Sequence, residues 1–274
     1  MQDGVFRGAP NAIAQTSDGY IWIGTESELL RFDGVRFTRW TSPDGTKLPS
    51  LEIDSLLGAR DGSLWIGTRA GLSHLVNGRI VNYLNPQAVI PAIVEDHDGI
   101  VWFIHIPSLD HAGSLCHVTG ASVRCYGKAD GIPIFASGNS LDIDSLGNLW
   151  IGLDTALVRW KSGTSYVYRP SGLKSNEGTQ GVTGLASDAD GSLWAGMALS
   201  GSALGLQHFV QSAWKPFIAP GLDGRTVDVS ALFMDGHNAL WIGTSKQGLY
   251  RIFAGRVEHF QVADGLSGNA VYRF

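Results

Sequence analysis

The chain has 274 residues, of which 44% are hydrophobic and 16% charged, a composition that supports a folded core and excludes a disordered chain. Its net charge of -5 and its lack of Lys/Arg runs argue against nucleic acid as a partner. Glycine accounts for 36 residues, and because glycine costs a helix about 1 kcal/mol relative to alanine, this content argues against a mainly helical fold.

The first unit of the chain reads as four short strands. An Asp-Gly pair, which is a common hairpin signal, separates the first strand from the second at Asp18-Gly19 and the third from the fourth at Asp33-Gly34. The four strands are predicted over residues 11–15, 20–25, 29–32 and 35–40.

The second strand carries a motif that recurs along the whole chain at intervals of 37 to 48 residues. It reads DGYIWIGT in the first unit and DGSLWIGT in the second. Its central residues are Trp22, Trp65, Trp102, Trp150, Trp194 and Trp241. Four-stranded units with a period of about 40–50 residues are typical of β-propellers. The sequence therefore predicts an all-β propeller of four-stranded antiparallel blades, with one domain over residues 1–274.

The motif strand is apolar on both faces, whereas a sheet with one wet face would alternate apolar and polar residues. We therefore expect the sheets to stack face to face, with the repeated tryptophans packed between blades. The glycine that ends the motif is expected where neighbouring backbone comes close.

The two ends of the chain lie at the same phase of the repeat. Residues 264–274 read as the start of a further blade. Since an open propeller would expose a strand edge, the sequence favours a fragment of a seven-bladed propeller, with a closed six-bladed ring as the alternative.

The segments DGYIWIGT with LLRFDGVRF, and DGSLWIGT with GLSHL, resemble the two-component regulator propeller repeat. The resemblance extends over essentially the whole chain, although the third unit, at Trp102-Phe103, lacks the Gly-Thr ending. It implies a sensory, ligand-binding propeller in the periplasmic part of a hybrid two-component sensor histidine kinase. It also implies a carbohydrate-derived ligand, such as an oligosaccharide, and neighbouring propeller or signalling domains as partners. A homodimer is a further expected partner arrangement, and no cofactor is expected.

Two other functions fit the same repeat. Residues 98–103 match the Asp-Gly-x-x-Trp-Phe core of streptogramin lyase-type propeller enzymes. A purely structural disc used for dimerisation is the other alternative. The sequence shows no nucleophile elbow, zinc-protease motif or phosphate loop, so we expect this segment not to be an enzyme. No apolar run of about 18 residues is present, and residues 1–15 lack the features of a signal peptide, so direct membrane insertion is not expected.

Strand direction predicts where a ligand would bind. The loop after the second strand and the loop between blades must share one edge of each sheet, and the Asp-Gly turns must share the other. Loops that vary on a repeated scaffold are the preferred place for function. The predicted ligand-binding residues are Arg7, Glu26, Arg69, His105, Asp110, His111, Asp154, Arg225 and Lys246.

Three of these residues, His105, Asp110 and His111, are assigned to one long non-repeating loop that begins at His105. A metal site needs three or four convergent ligands, so no metal is predicted there. The Asp-x-Asp-Gly segments at 96–99 and 188–191 resemble calcium loops, but they lack an acidic residue at the twelfth position, and a hairpin turn explains them better.

Two further sets of residues stand at defined places in the repeat. A histidine or an arginine occupies one shared position of the third strand in every unit, which indicates a polar site on the surface or between blades. These residues are Arg31, His74, His117, Arg159, His208 and Arg251. Cys116 and Cys125 fall opposite each other across a turn at Gly120-Ala121, where they form either a disulfide or two reduced thiols.

Overall fold

The computed structural model describes residues 8–83, 88–107, 113–133, 135, 138–173 and 181–274. The candidate residues Arg7, Asp110 and His111 lie outside these ranges. The chain divides into two compact units, Met1–Ala136 and Ser137–Phe274. In the described part of both units the regular structure consists of β-strands and three short 3-10 helices, with no α-helix.

The first unit contains three antiparallel blades, each with its strands in sequence order. Blade 1 consists of β1 (Pro10–Gln15), β2 (Ile21–Thr25), β3 (Leu29–Phe32) and β4 (Phe37–Arg39). Blade 2 consists of β5 (Ile53–Gly58), β6 (Leu64–Thr68), β7 (Gly71–Val76) and β8 (Arg79–Tyr83). Blade 3 consists of β10 (Ile93–Glu95), β11 (Val101–Pro107), β12 (Ser114–Thr119) and β13 (Ser122–Tyr126), and the short β9 (Ala88–Val89) also pairs with β11. A 3-10 turn at Lys128–Asp130 follows.

The second unit repeats this pattern three times. Blade 4 consists of β14 (Gly138–Ile143), β15 (Leu149–Leu153), β16 (Leu157–Lys161) and β17 (Thr164–Tyr168). Blade 5 consists of β18 (Val182–Ser187), β19 (Leu193–Met197), β20 (Leu206–Val210) and β21 (Ala213–Pro216). A small hairpin, β22 (Ile218–Ala219) with β23 (Leu222–Asp223), and a 3-10 turn at Gly224–Thr226 come next. Blade 6 consists of β24 (Val229–Met234), β25 (Leu240–Thr244), β26 (Leu249–Phe253) and β27 (Arg256–Phe260), with a 3-10 turn at Val262–Asp264.

These sheets confirm the predicted all-β propeller of four-stranded antiparallel blades. The fourth strand of blade 1 is shorter than predicted, because the Asp33 carboxylate accepts hydrogen bonds from the backbone N–H groups of Val35 and Arg36 and holds both residues in the turn. The first Asp-Gly turn is a three-residue loop. Thr16 N–H donates to the Tyr20 carbonyl, and Gly19 lies at φ 88°, the left-handed conformation that glycine adopts without strain.

The repeated tryptophans pack against the next blade, as predicted, within each unit. Trp22 of blade 1 shares a core cluster with Ile53 and Ile66 of blade 2. In the second unit, Trp150 of blade 4 clusters with Val182 of blade 5, and Trp194 of blade 5 clusters with Val229 of blade 6. Trp22, Trp150 and Trp194 are each 5% exposed or less. The cores of the two units therefore lie between their stacked sheets.

The glycine after the motif tryptophan allows this close stacking. A Cβ on Gly24 would overlap the side chain of Ile53, and a Cβ on Gly196 would overlap that of Val229. At Gly67 and Gly243 the nearest neighbours include the carbonyl oxygens of Ile90 and Val271. The prediction that backbone comes close to this glycine is therefore confirmed at Gly67 and Gly243. At Gly24 and Gly196 the close neighbour is instead a β-branched side chain of the next blade.

The final segment, residues 269–274, is not a regular strand, yet it takes the position of one beside blade 6. Val271 N–H donates to the Thr244 carbonyl, as Ile90 N–H donates to that of Thr68 between blades 2 and 3. The hydroxyl of Ser230 donates to the Val271 carbonyl. That these residues begin a further blade of a larger propeller stays a prediction.

Candidate ligand-binding edge

Each blade has two chemically different edges. The antiparallel strand order places the turns between the first and second strands and between the third and fourth strands at one edge, here called the turn edge. The loops between the second and third strands, together with the connectors between blades, lie at the opposite edge, here called the loop edge.

Aspartates of the turn edge bind the repeated tryptophans. The indole Nε1–H groups of Trp102, Trp150 and Trp241 each donate to an aspartate Oδ2 six residues earlier, at 2.8 Å. These acceptors are Asp96, Asp144 and Asp235. Trp194 donates to Asp188 at 3.4 Å, and Trp22 donates to the Thr16 hydroxyl at 3.0 Å. The equivalent residue in blade 2 is Ala59.

The same carboxylates also close the hairpins. Asp96 Oδ1 accepts the backbone N–H groups of Asp98 and Ile100, which confirms the hairpin interpretation of this calcium-like segment. At Asp235, the hydrogen bond from Trp241 is the main cause that lowers the pKa to about 2. The turn edge therefore repeats in blades 3, 4 and 6 because one aspartate both closes the hairpin and binds the tryptophan of the same blade.

In every blade the histidine or arginine at the shared third-strand position is the cross-strand partner of the repeated tryptophan. Its side chain lies against the indole ring. His74 stacks on Trp65 with ring centroids 4.0 Å apart, and His208 stacks on Trp194 at 3.8 Å. The third pair of this kind, His117 on Trp102, has centroids 4.5 Å apart. In the other blades, Arg31, Arg159 and Arg251 lie 5.9, 5.7 and 5.3 Å from the tryptophan centroids.

Burial changes the acid–base behaviour of these histidines. Desolvation lowers the pKa of His74 and of His208 below the usual 6.5, although nearby aspartates oppose the shift. Desolvation also lowers the pKa of His117, and the charge of Arg124 adds to the effect. The neutral imidazole is thus the form that fits these stacks.

At the loop edge of the first unit, Glu26 and Arg69 are exposed in the loops after β2 and β6. Arg69 Nε lies 3.0 Å from a carboxylate oxygen of Glu52 and 3.6 Å from one of Asp54. Glu52 and Asp54 were not predicted as site residues. Their acidic character partly neutralises Arg69.

His105 is placed differently from the prediction. It lies within β11, opposite Ser114, and not in a loop. The strand continues to Pro107 because Ile106 and Pro107 pair with Val89 and Ala88 of β9. The predicted loop boundary at His105 was therefore wrong.

In the second unit, Asp154 is half-buried in the loop after β15, while Arg225 and Lys246 are exposed. Arg225 forms a salt bridge with Asp223 at 2.6 Å, which raises the pKa of Arg225. Lys246 Nζ lies 4.0 Å from Asp228. Asp228 and Glu52 both directly precede a first strand, so the two acidic partners occupy the same position of the repeat. Their basic partners differ by one position, because Arg69 is the first residue after its second strand and Lys246 is the second.

Among the cavities lined by described residues, one in each unit opens at the loop edge. The first has a volume of about 380 Å³ and lies beside the connector between blades 1 and 2, with Trp40 and Leu51 in its walls. Its lining includes Glu28, a buried carboxylate 3.6 Å from Arg39. The second has a volume of about 430 Å³ and is lined by residues of blades 4 and 5, including Tyr168 and Trp214. Neither cavity was foreseen from the sequence, because its walls combine side chains from strands and connecting loops that only the folded chain brings together.

Cys116 and Cys125 form a disulfide in blade 3. They are direct cross-strand partners, with Cα atoms 4.0 Å apart, so the disulfide alternative is confirmed. Within the described ranges, no three His, Cys, Asp or Glu side chains are grouped so that they could hold a metal ion. The described residues likewise include no helix with the length and apolar character needed to cross a membrane.

The repeated blades, with a tryptophan packed between neighbouring sheets, define a β-propeller. Residues 7–27 match the family model of the two component regulator propeller, which confirms the resemblance found in the sequence. No curated protein matches the chain.

Solved structures show the same fold at low sequence identity. PorZ, a surface component of the type-IX secretion system of Porphyromonas gingivalis, has 16% identity and a TM-score of 0.69, over 98% of this chain and 44% of its own. An extracellular domain from B. thetaiotaomicron, described as part of a hybrid two component system, has 16% identity and a TM-score of 0.50, over 95% and 42%. A gluconolactonase from Xanthomonas campestris has 13% identity and a TM-score of 0.56, over 88% and 85%. The chain thus spans less than half of the first two structures.

Proposed function

We propose that this chain is a ligand-binding, non-catalytic propeller segment in the extracytoplasmic part of a bacterial two-component sensor. The observation that carries the proposal is the contrast between the two edges. Turn-edge aspartates such as Asp96 and Asp144 are engaged by buried tryptophans, whereas the loop edge presents different charged residues in different blades. Varied loops on a rigid scaffold are suited to binding a ligand.

Two findings support an extracytoplasmic, periplasmic location. Disulfides persist in oxidising compartments and are rare in the cytosol, and Cys116–Cys125 is such a bond. The fold is also that of the extracellular domain from B. thetaiotaomicron.

In the proposed mechanism, a carbohydrate-derived ligand binds at the loop edge and changes how the propeller packs against its neighbours. Those neighbours would be a further propeller, a signalling domain of the parent histidine kinase or a second copy of the chain. The ligand can shift the signalling equilibrium only by its differential affinity for the two states. Arg69 and Lys246 are suited to this role, because each is exposed and paired with a carboxylate that a ligand could replace.

A binding screen tests the proposal. Thermal shift with a panel of neutral and acidic oligosaccharides, on this chain and on the parent sensor, should find a compound that raises the melting temperature. Arg69→Gln or Lys246→Gln should reduce that shift, whereas the matched control Arg36→Gln, at the turn edge, should not. If no oligosaccharide binds either protein, the chain is a structural disc and the sensory proposal is wrong.

Because a gluconolactonase has the same fold, the alternative that this chain is a propeller enzyme is tested as well. Lactone opening should be assayed with and without Mg²⁺, in the wild type and in His105→Ala. Metal-dependent turnover that is lost in the variant would replace the sensor proposal with a propeller lyase or hydrolase. Absence of turnover together with oligosaccharide binding supports the sensor.

A further inference from the structure

Each blade ends in an outer strand with one open side, and the outer strand of blade 4 differs from the others. An open sheet edge can pair with a second chain, so proteins normally protect it with a charge, a proline or a short strand. Five outer strands of the described blades have such a feature, whereas β17, with the sequence TSYVY, has five residues and none of these features. The protecting residues are Arg39 in β4, which has three residues, Arg79 in β8, Arg124 in β13, Lys215 and Pro216 in β21, and Arg256 and Glu258 in β27.

The contrast is greatest at Tyr166, the middle residue of β17. Tyr166 is the cross-strand partner of Arg159, and it is 55% exposed, while the next residue, Val167, is 38% exposed. The residues at the same position of the other outer strands are Thr38, Val81, Arg124, Lys215 and Glu258. β17 therefore presents uncharged side chains at a position where three of the six blades carry a charge.

The main chain of β17 has the geometry that a further strand needs. A two-residue turn, Ser162-Gly163, joins β16 to β17, and both of its residues have positive φ, 49° and 84°. In an antiparallel ladder, hydrogen-bonded and non-bonded pairs alternate from such a turn. The N–H and C=O of Tyr166 therefore face β16, and those of Val167 face outward. Among the described residues no strand pairs with that outward side.

The cations nearest to β17 lie outside its five residues. Lys161 precedes the turn, and its Nζ donates to a backbone carbonyl of the turn between β14 and β15. Arg169 directly follows the strand, and Pro170, which has no N–H, ends any further pairing. On the face of the sheet, the Arg159 guanidinium lies 4.7 Å from the centroid of the Tyr166 ring. The edge that can accept a partner is therefore uncharged and limited to the length of β17.

We propose that β17 is a dimerisation strand, which pairs antiparallel with the β17 of a second copy of this chain about a two-fold axis beside Tyr166. In that register Thr164 of one copy lies opposite Tyr168 of the other, and the two Tyr166 residues lie opposite each other. All five residues of the strand are then paired. The two tyrosines form a non-hydrogen-bonded pair, in which side chains come closest, and aromatic pairs at such positions are stabilising.

Charge selects a second copy as the partner. On a two-fold axis a residue meets itself, so Arg124, Lys215 or Glu258 would face a like charge if blade 3, 5 or 6 paired in this way. β17 has no charged residue, so two identical strands pair without that repulsion, and a charged partner strand would find no counter-charge in it.

The expected dimer is weak. A contact between two five-residue strands is small beside the area of about 1,200 Å² that a stable interface buries. The dimer should therefore form at high concentration, or where the parent protein holds two copies close together. The inference goes beyond the proposed function, because pairing of β17 needs no ligand.

Sedimentation equilibrium of the full chain at micromolar to millimolar concentrations tests the inference. The wild type should form a dimer. Tyr166→Lys and Tyr166→Glu should each weaken dimerisation about tenfold or more, because like charges then meet at the axis. An equimolar mixture of these two variants should dimerise again, because a lysine then faces a glutamate. The matched control Val81→Lys places a charge at the same position of β8 and should leave the dimer unchanged.

The variants are compatible with the fold of the blade. At the same position of blade 6, Glu258 pairs with Arg251 at 2.9 Å, so a glutamate in β17 can pair with Arg159 in the same way. Tyr166→Thr, which introduces the residue type of blade 1 at this position, removes the aromatic pair without a charge and should also weaken the dimer. Melting temperatures close to that of the wild type show that each variant is folded.

A wild type that stays monomeric at the highest concentration overturns the inference. A dimer that survives both charged variants, or that Val81→Lys weakens equally, also overturns it. If the mixture of the two charged variants stays monomeric, the tyrosines do not face each other and the two-fold pairing is wrong. Dimerisation without any oligosaccharide binding supports this inference while the sensory proposal fails, and oligosaccharide binding by a monomeric chain has the opposite meaning.

Discussion

The imidazole of His208 lies flat on the indole of Trp194, with ring centroids 3.8 Å apart and an angle of 5° between the planes. The Nε2 of His208 is 2.7 Å from the Ser192 hydroxyl. In the arginine-bearing blades a permanently charged guanidinium takes this position, for example Arg159 over Trp150. The histidine blades therefore differ from the arginine blades in carrying an imidazole that can lose its proton, whose pKa burial lowers below 6.5.

This difference predicts that the protein loses stability as the pH falls. The pKa values of His74 and His208 are lowered on folding from 6.5, so the unfolded chain binds more protons than the folded chain in the window below pH 6.5. The contribution of these histidines to the free energy of unfolding is fully present above pH 6.5. It is lost as the pH falls through their lowered pKa values in the folded chain. Melting temperatures measured from pH 8 to pH 5 should decrease, and less so in His74→Arg/His208→Arg. The exposed turn residue His237, replaced by Gln, is the control. An unaltered pH profile in the double variant would contradict the prediction.

A second prediction concerns the buried hydrogen bond between Asp144 and Trp150. Asp144→Ala removes the acceptor of the Trp150 indole N–H and of the Leu146 and Asn148 backbone N–H groups. Because a buried donor is left without a partner, the free energy of unfolding should fall by about 1.5–3 kcal/mol. Asp33→Ala, which removes an exposed turn carboxylate bonded only to backbone in its hairpin, should cost less. Denaturant titration of both variants makes the comparison, and equal losses would show that the indole bond contributes nothing.

A third prediction concerns the closeness of blades 5 and 6. Gly196→Ala places a methyl group against Val229, a fully buried residue, and should destabilise the protein by about 1–3 kcal/mol through overpacking. Gly236→Ala, whose Cβ would meet no atom within 4 Å, should be close to neutral. Adding Val229→Ala to Gly196→Ala should recover part of the stability. A double-mutant cycle without coupling would show that the two residues do not limit the blade spacing.

The disulfide gives a fourth prediction. Reduction of Cys116–Cys125, which are separated by nine positions, should lower the free energy of unfolding by about 2–3 kcal/mol in the chain-entropy model. The double variant Cys116→Ala/Cys125→Ala should have lower stability that no longer responds to reductant. Unfolding followed with and without a thiol reductant measures this, and a wild-type curve insensitive to complete reduction would refute it.

The repeat made the blades predictable. The Trp-centred motif placed the second strand of every blade, and in blade 1 the Asp-Gly turns placed the neighbouring strands with ends within two residues of those observed. The opposition of Cys116 and Cys125 could also be derived, because a two-residue turn sets the register of the strands on either side. Predictions of this kind depend on contacts that are local in the sequence.

The loop edge was less predictable. His105 belongs to a strand because β9, from the connector before blade 3, extends the pairing of β11. The partners Glu52 and Asp228 were missed, although both stand directly before a first strand, a position that an alignment of the repeats could have singled out. The ligand-binding role of Glu26, Arg69, Asp154, Arg225 and Lys246 stays a prediction.

The amino-acid sequence by itself determined the propeller class, the blade repeat, the tryptophans that separate the sheets and the turn that brings the cysteines together. All of these follow from periodic hydrophobicity and from the short-range geometry of hairpins. Only the tertiary structure decided which charges are paired, which imidazoles lie buried on indoles and how far Tyr166 is exposed on its outer strand. The physical reason is that burial and electrostatics depend on packing between side chains far apart in the chain, and no local pattern records that packing.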